Sequence, residues 1–216
     1  MQNDAVLNDT VPRGLFITLE GGDGSGKSTQ SGLLAAWLGE QGRTIVATRE
    51  PGGTDLGVEL REIILHRRGY IAPRAEALIY AADRAHHIAT KVRPALERGE
   101  VVLQDRYLDS SVAYHGAGRV LDGTEIRELS LWAVEGLLPD LTILLDLDET
   151  ISRTRLDGAR TKYDRLEDEK QDFHARVRAA YLELAAAEPA RFLVLQATDS
   201  IESIAAQIRE RVSTLL

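Results

Sequence analysis

Residues 21–29 read Gly-Gly-Asp-Gly-Ser-Gly-Lys-Ser-Thr. Within this run Gly21, Gly26, Lys27 and Ser28 satisfy the pattern G-x-x-x-x-G-K-[ST], and both flanks agree with it. The apolar residues Leu15, Phe16, Ile17 and Leu19 precede it as a strand, and Leu33, Leu34, Trp37 and Leu38 follow it at helical spacing. A strand–loop–helix unit of this kind wraps a polyphosphate. Glycines carry no Cβ to block unusual backbone angles, so successive N–H groups can turn inward onto phosphate oxygens at the positive end of the helix. Gly21, Gly22, Asp23, Gly24, Ser25, Gly26, Lys27, Ser28 and Thr29 are therefore the expected nucleotide-binding loop. Lys27 is placed to reach the β- and γ-phosphates and Ser28 to ligate Mg²⁺.

Outward from this loop, short β-type runs alternate with helical ones, the pattern of a parallel sheet covered by helices on both faces. Strands are expected at 15–20, 44–48, 100–104, 141–146 and 191–195. Ile201, Ile204, Ile208, Val212 and Leu215 recur at helical spacing, as do Phe173, Val177, Tyr181 and Leu184, and both stripes read as core. The segment 124–138 differs. Ile126, Leu129 and Ala133 make one apolar stripe and Leu131, Val134 and Leu138 another, so a helix here would be deeply buried or would also face a partner. With no repeat and no Pro/Gly-rich linker, residues 14–216 read as one domain, and the polar, acidic residues 1–13 as a flexible tail.

The bulk composition suits a globular enzyme: 216 residues, 44% hydrophobic and 28% charged. A net charge of −8 argues against a sequence-independent grip on nucleic acid, which needs a basic footprint. Of the 26 basic residues four are lysines and 22 arginines, and arginine suits bidentate contacts to phosphate. Cysteine is absent, which removes disulfides, thiolate metal sites and a cysteine nucleophile. Nothing resembles a signal peptide or a membrane span, so a cytoplasmic location is expected.

Polar motifs fall just beyond the carboxyl ends of strands, where such a sheet places its ligands. Arg49-Glu50-Pro51-Gly52-Gly53-Thr54 follows the second strand and Asp105-Arg106-Tyr107 the third. On the helix expected over 74–92, Tyr80 and Arg84 lie four residues apart and share a face. They offer an aromatic plate beside a guanidinium, able to stack on a base and fork onto its phosphate.

The P-loop, the Arg49–Thr54 run, Asp105-Arg106-Tyr107, the stretch Ser110–Tyr114 with Gly116 and Gly118-Arg119, and the run Asp164–Glu167 occur in the order and spacing of the thymidylate kinases. Over residues 14–214 the chain resembles that family, in its bacterial type. The resemblance implies transfer of the γ-phosphoryl group of ATP to thymidine monophosphate (dTMP) with Mg²⁺, and the P-loop nucleoside-monophosphate-kinase fold, an α/β fold with a five-stranded parallel sheet flanked by helices and a short lid. It also implies a homodimer packed through helices, including the doubly apolar 124–138. Position by position, Tyr80 matches the aromatic over the thymine ring and Arg84 the arginine near the base and monophosphate. Arg106 matches the arginine on the acceptor phosphate, and Asp105 the carboxylate beside the transferred group and its metal, with Ser28 the other metal ligand. Asp23 matches a carboxylate near the sugar 3′-hydroxyl, Ser111 a base-edge position and Tyr114 the aromatic that crowds the sugar C2′. Arg49 and Arg61 correspond to acceptor-side phosphate contacts, and Pro51 belongs to the same loop.

One branch of the family carries an arginine directly after the P-loop aspartate, where this chain has Gly24. The charge that neutralises the transferring group must then come from elsewhere, and the expected lid at 152–166 supplies Arg153, Arg155, Arg160 and Arg165. Arg153 and Arg155 are the leading candidates. Two other readings compete. A P-loop switch would need Asn-Lys-x-Asp to read guanine, but the asparagines are Asn3 and Asn8, ahead of the first strand. A deoxynucleoside kinase acting on a 5′-hydroxyl would need a carboxylate base, a role open to Glu50.

Overall fold

The structure, a computed structural model, describes residues 13–67, 69–119, 121–159, 166 and 169–216. Five strands, β1 (Phe16–Glu20), β2 (Ile45–Arg49), β3 (Val101–Asp105), β4 (Leu141–Asp146) and β5 (Phe192–Gln196), form one sheet. Each lies within about one residue of its sequence expectation. All neighbours are parallel, in the order β2-β3-β1-β4-β5. The chain leaves β1 toward one edge and returns to its other side as β4, so the loop after β1 opens at the point where the winding reverses, the usual ligand position in an open α/β sheet.

Alternation along the strands sorts the core into two faces. Ile17, Leu19, Val101, Leu103, Leu141, Ile143 and Leu145 meet Leu34 and Leu38 of α1 (Lys27–Glu40) and Ile204, Ile208 and Val212 of α9 (Ile201–Ser213). Phe16, Val102 and Leu144 point the other way. There they meet α4 (Arg93–Glu97), α5 (Leu108–Ser111) and α8 (Gln171–Ala187). Fully burying a leucine or phenylalanine side chain contributes about 1.5–3 kcal/mol, so these two layers hold the sheet and fix where its loops emerge.

The helix expected over 74–92 begins as α3 (Pro73–His87) and widens into a π-helical turn at Ile88–Val92 before continuing as α4. Pro94 has no N–H for the carbonyl four residues back, and the wider turn accommodates that loss. A second π-helical segment, Val112–Gly118, follows α5 and carries Tyr114 and His115. The remaining helices are α2 (Asp55–His66), α6 (Gly123–Ala133) and α7 (Glu149–Ala159).

The doubly apolar helix at 124–138 is not what forms. α6 stops at Ala133, because Glu135 and Gly136 take positive φ angles of 51° and 72° and turn the chain. Val134, Leu137 and Leu138 thereby leave the helix and pack into the core with Tyr107 and Val102. Trp132, four-fifths exposed, is the large apolar side chain that α6 presents outward.

Residues 152–159 of the expected lid belong to α7 and make up all but its first three residues. Arg160, Asp164, Arg165 and Glu167 lie outside the described residues.

Candidate active site

The carboxyl ends of β1, β2 and β3 open into a cavity of about 520 Å³. The P-loop forms one wall. Gly24 and Gly26 adopt positive φ angles of 75° and 96°, conformations that a Cβ would strain, and α1 starts directly at Lys27. Lys27 folds back on its own loop, its Nζ donating to the carbonyls of Gly21 at 3.0 Å and Gly22 at 2.8 Å. Burial, then Arg106, lowers the pKa of this ammonium, while Asp105, Asp23 and Glu20 resist the shift. A polyphosphate offers Lys27 better acceptors than two carbonyls, since charge-assisted bonds are about twice as strong as neutral ones.

The opposite wall comes from β3 and α5. Arg106 Nη2 donates to Asp23 Oδ1 at 2.6 Å, and its guanidinium lies 5.1 Å from the Tyr114 ring centroid. Burial works against ionisation of Asp23, yet Arg106 and Lys27 prevail and hold its carboxyl at about 2. Asp105 lines the same cavity as Ser28, and its Oδ1 is buried without a hydrogen-bond partner among the described residues. A buried carboxylate oxygen lining the same cavity as a P-loop hydroxyl is a hard donor suited to Mg²⁺, which takes one or two protein oxygens and completes its shell from phosphates and water.

The far end is aromatic. Tyr80 and Tyr114 line it together with Leu65, Leu166 and His115. The rings of Tyr80 and His115 are 4.8 Å apart. Nδ1 of His115 lies 3.0 Å from Glu76. Burial lowers the His115 pKa against the pull of that carboxylate.

Arg84 is less available than its spacing implied. It is 2% exposed. Its Nε donates to Glu50 at 2.7 Å, Nη1 to Ser130 at 3.2 Å, and Nη2 to the Tyr107 carbonyl at 3.2 Å and Ser111 Oγ at 2.9 Å. Four of its five N–H groups are thus directed at protein acceptors, so it can offer an edge but not a free fork. Glu50 is held as tightly, between Arg84 and His87 Nδ1 at 3.0 Å, and His87 Nε2 meets Thr48 at 2.7 Å. A carboxylate so engaged is poorly placed to act as a general base for a 5′-hydroxyl.

Of the sequence-derived positions, Asp23, Gly24, Gly26, Lys27, Ser28, Thr29, Arg49, Pro51, Arg61, Tyr80, Arg84, Asp105, Arg106, Ser111, Tyr114 and Arg155 converge on the cavity. Gly21 and Gly22 support the loop from behind, and Ser25 is buried beneath it. Arg61 Nη1 donates to the Pro51 carbonyl at 2.9 Å, stapling the loop that carries Arg49. That loop contains a cis peptide bond between Glu50 and Pro51.

The two leading lid arginines separate. Arg155 lines the cavity and donates to the Gly24 carbonyl at 3.2 Å and the Ala197 carbonyl at 3.0 Å. Arg153 lines a smaller recess of about 50 Å³ behind the P-loop and pairs with Asp157 at 3.2 Å. Gly24 lies against α7, and its positive φ is what favours glycine there. A Cβ there would lie 3.4 Å from the Ser152 carbonyl and 3.5 Å from Arg155 Cβ, in a backbone conformation already strained for any other residue. The helix bearing Arg155 thus borders position 24 at van der Waals distance.

Sequence reasoning missed Glu20, Ser110 as an individual contributor, and the hydroxyl of Tyr181. Glu20 is a charged residue ending an otherwise apolar strand beside the P-loop, a local anomaly that could have drawn attention. Tyr181 reads as core, where its ring does pack, but its hydroxyl donates to Glu20 Oε2 at 2.9 Å.

A parallel sheet wound about a P-loop, with an arginine-bearing wall and an aromatic recess facing that loop, defines a P-loop nucleotide kinase. The family profile described as thymidylate kinase matches residues 19–208. A thymidylate kinase of Leifsonia xyli subsp. xyli is 77% identical over 199 residues, 92% of this chain and 94% of the relative. One from Clavibacter sepedonicus is 72% identical over 203 residues, 94% and 96% of the two chains. The crystal structure of thymidylate kinase from Ehrlichia chaffeensis superposes with a TM-score of 0.78 at 31% identity, covering 94% of this chain and all of the other. The chain belongs to the thymidylate kinase family.

Proposed function

We infer that the protein transfers the γ-phosphoryl group of ATP to dTMP, giving ADP and dTDP. One observation carries this reading beyond family membership. The cavity runs without a break from the P-loop lysine, past an arginine–aspartate pair, to a recess walled by Tyr80 and Tyr114. A nucleoside monophosphate fits that order, with its phosphate at Arg106 and its base against Tyr80.

Phosphoryl transfer asks the protein for position and charge rather than for a covalent group. The acceptor phosphate oxygen is already anionic, so repulsion between two polyanions is the obstacle. Lys27 and the P-loop amides hold the donor, and Arg106 holds the acceptor phosphate. Asp23, ionised through its contact with Arg106, keeps that guanidinium in place and faces the sugar 3′-hydroxyl. Tyr114 leaves no room at the sugar C2′ for a ribose hydroxyl. Arg84 and Ser111 meet the base edge, and Arg49, in the loop with Pro51, approaches the acceptor phosphate. Ser28 and Asp105 would hold Mg²⁺, which would supply charge neutralisation at the donor phosphates. Arg155 swings from the Gly24 carbonyl to the transferring group.

The homodimer rests on α2, α3 and α6, which pack side by side and leave Val58, Ile63, Leu78 and Trp132 exposed. Exposed apolar residues on adjoining helices favour association with a second copy. The cytoplasm, where ATP and dTMP meet, is the compartment proposed; among the described residues no helix is long and apolar enough to cross a membrane.

The deciding experiment compares turnover of dTMP with that of thymidine and uridine monophosphate at saturating ATP. A strong preference for dTMP is expected. Turnover of thymidine at the rate of dTMP would replace this reading with that of a nucleoside kinase.

A further inference from the structure

We propose that Glu20 is a positioning residue for Arg106, holding its backbone turn from one side and its guanidinium from the other through the hydroxyls of Ser110 and Tyr181. The proposal rests on the reading of Arg106 as the acceptor-phosphate arginine.

Arg106 has φ +66°, a conformation that any residue with a Cβ adopts only when its surroundings enforce it. The end of β1 does the enforcing. The Arg106 N–H donates to the Leu19 carbonyl at 2.9 Å, and the next N–H, of Tyr107, donates to Glu20 Oε1 at 2.7 Å. The other carboxylate oxygen of Glu20 accepts from Ser110 Oγ at 2.6 Å and from the Tyr181 hydroxyl at 2.9 Å. Those two hydroxyls in turn stand 3.4 Å from Arg106 Nη1.

The donors therefore run one way, from guanidinium to hydroxyl to carboxylate. Ionised, as it is above about pH 7, the carboxylate only accepts and keeps the lone pairs of both hydroxyls turned toward Arg106. An amide at position 20 would present N–H groups to the hydroxyls and reverse that order. With Nη1 steered by Ser110 and Tyr181 and Nη2 bound to Asp23, the guanidinium plane is fixed before substrate arrives. Preorganised donors cost no rearrangement when the phosphate binds. Glu20 is fully buried. It thus acts on the substrate only through Arg106.

The test uses the whole chain and the variants Glu20→Gln, Tyr181→Phe and Ser110→Ala, with Arg106→Ala as reference. At about pH 8.5, where Glu20 is ionised, losing one charge-assisted support should lower kcat/KM for dTMP by about 10- to 100-fold, the effect of a hydrogen bond to a charged group, chiefly through KM. The KM for ATP should stay within about twofold. Glu20→Gln combined with Tyr181→Phe should lose no more than the stronger single variant, because both cut one chain. Equal rises in both KM values, or a dTMP KM within about threefold of the unmodified protein in Glu20→Gln and Tyr181→Phe alike, would overturn the proposal. If Glu20→Gln does not fold, Tyr181→Phe and Ser110→Ala decide by the same criteria. Arg106→Ala separates the two levels. Should it leave the dTMP KM unchanged, the reading of Arg106 falls and this proposal with it; should it raise that KM while the other variants do not, only the role of Glu20 falls.

Discussion

Replacing Arg155 with alanine should lower kcat far more than replacing Arg153, although the two are separated by a single residue. An arginine that meets the transferring phosphoryl group contributes about 10³ to 10⁵ in rate, equivalent to about 4–7 kcal/mol. Arg155 first has to release the carbonyls of Gly24 and Ala197. Two such bonds on an exposed helix are together worth about 2 kcal/mol. The net contribution is then about 2–5 kcal/mol, so Arg155→Ala should reduce kcat by about 30- to 3000-fold, with KM for both substrates little changed. Arg153 faces the recess behind the P-loop and pairs with Asp157; its replacement should cost less than about threefold. The measurement is steady-state ADP release at saturating ATP and dTMP, with circular dichroism to confirm folding. A kcat for Arg155→Ala within tenfold of the unmodified protein, or an equal loss in Arg153→Ala, would refute the assignment.

Lys27→Ala should nearly abolish transfer while circular dichroism is retained, because the ammonium serves the phosphates and its present partners are two loop carbonyls; parallel loss of structure would make Lys27 a structural residue instead. Gly24→Ala should destabilise the protein by about 1–2 kcal/mol, the cost of a left-handed backbone for a residue with a Cβ; an unchanged urea midpoint would contradict the positive φ at position 24. Burial, and after it Asp109, raises the Glu20 carboxyl from 4.5 to about 7, so the native state binds this proton more tightly than the unfolded chain. The stability this provides is complete below about pH 4.5 and is lost as pH rises toward 7, a change of about 3 kcal/mol from this group. Glu20→Gln has no such proton, and its denaturation midpoint should vary less between pH 5 and 7.5; the same slope in both proteins would show that Glu20 does not titrate there.

The sequence by itself determined the nucleotide-binding half of this protein. A strand, a glycine turn and a helix start within fifteen residues of one another, so Gly21 to Thr29 carry their geometry locally, and Phe16–Glu20 and Lys27–Glu40 appear where the pattern puts them. The five strands were legible for the same reason, since runs such as Leu141–Asp146 are apolar enough to be buried whatever surrounds them. The loops after β2 and β3 could then be aimed at one crevice from strand order alone. What the tertiary structure decided is which atoms meet there. Tyr181 and Glu20 lie 161 residues apart and touch only because α8 packs across the end of β1. Arg84 reads as a free fork on one helix, yet Glu50 after β2, Ser130 on α6, and Tyr107 and Ser111 after β3 together take up four of its donors. The apolar stripe continuing beyond Ala133 looked helical until Glu135 and Gly136 turned it inward, a choice made by the core pocket that receives Val134. Arg153 and Arg155 are indistinguishable by residue type. They differ by 200° around a helix, and only the docking of α7 says that Arg155 lines the large cavity and Arg153 the recess behind the P-loop. Periodicity and motif are properties of a few neighbouring residues, whereas the direction of a polar side chain is set by whatever the fold brings within about 3 Å of it.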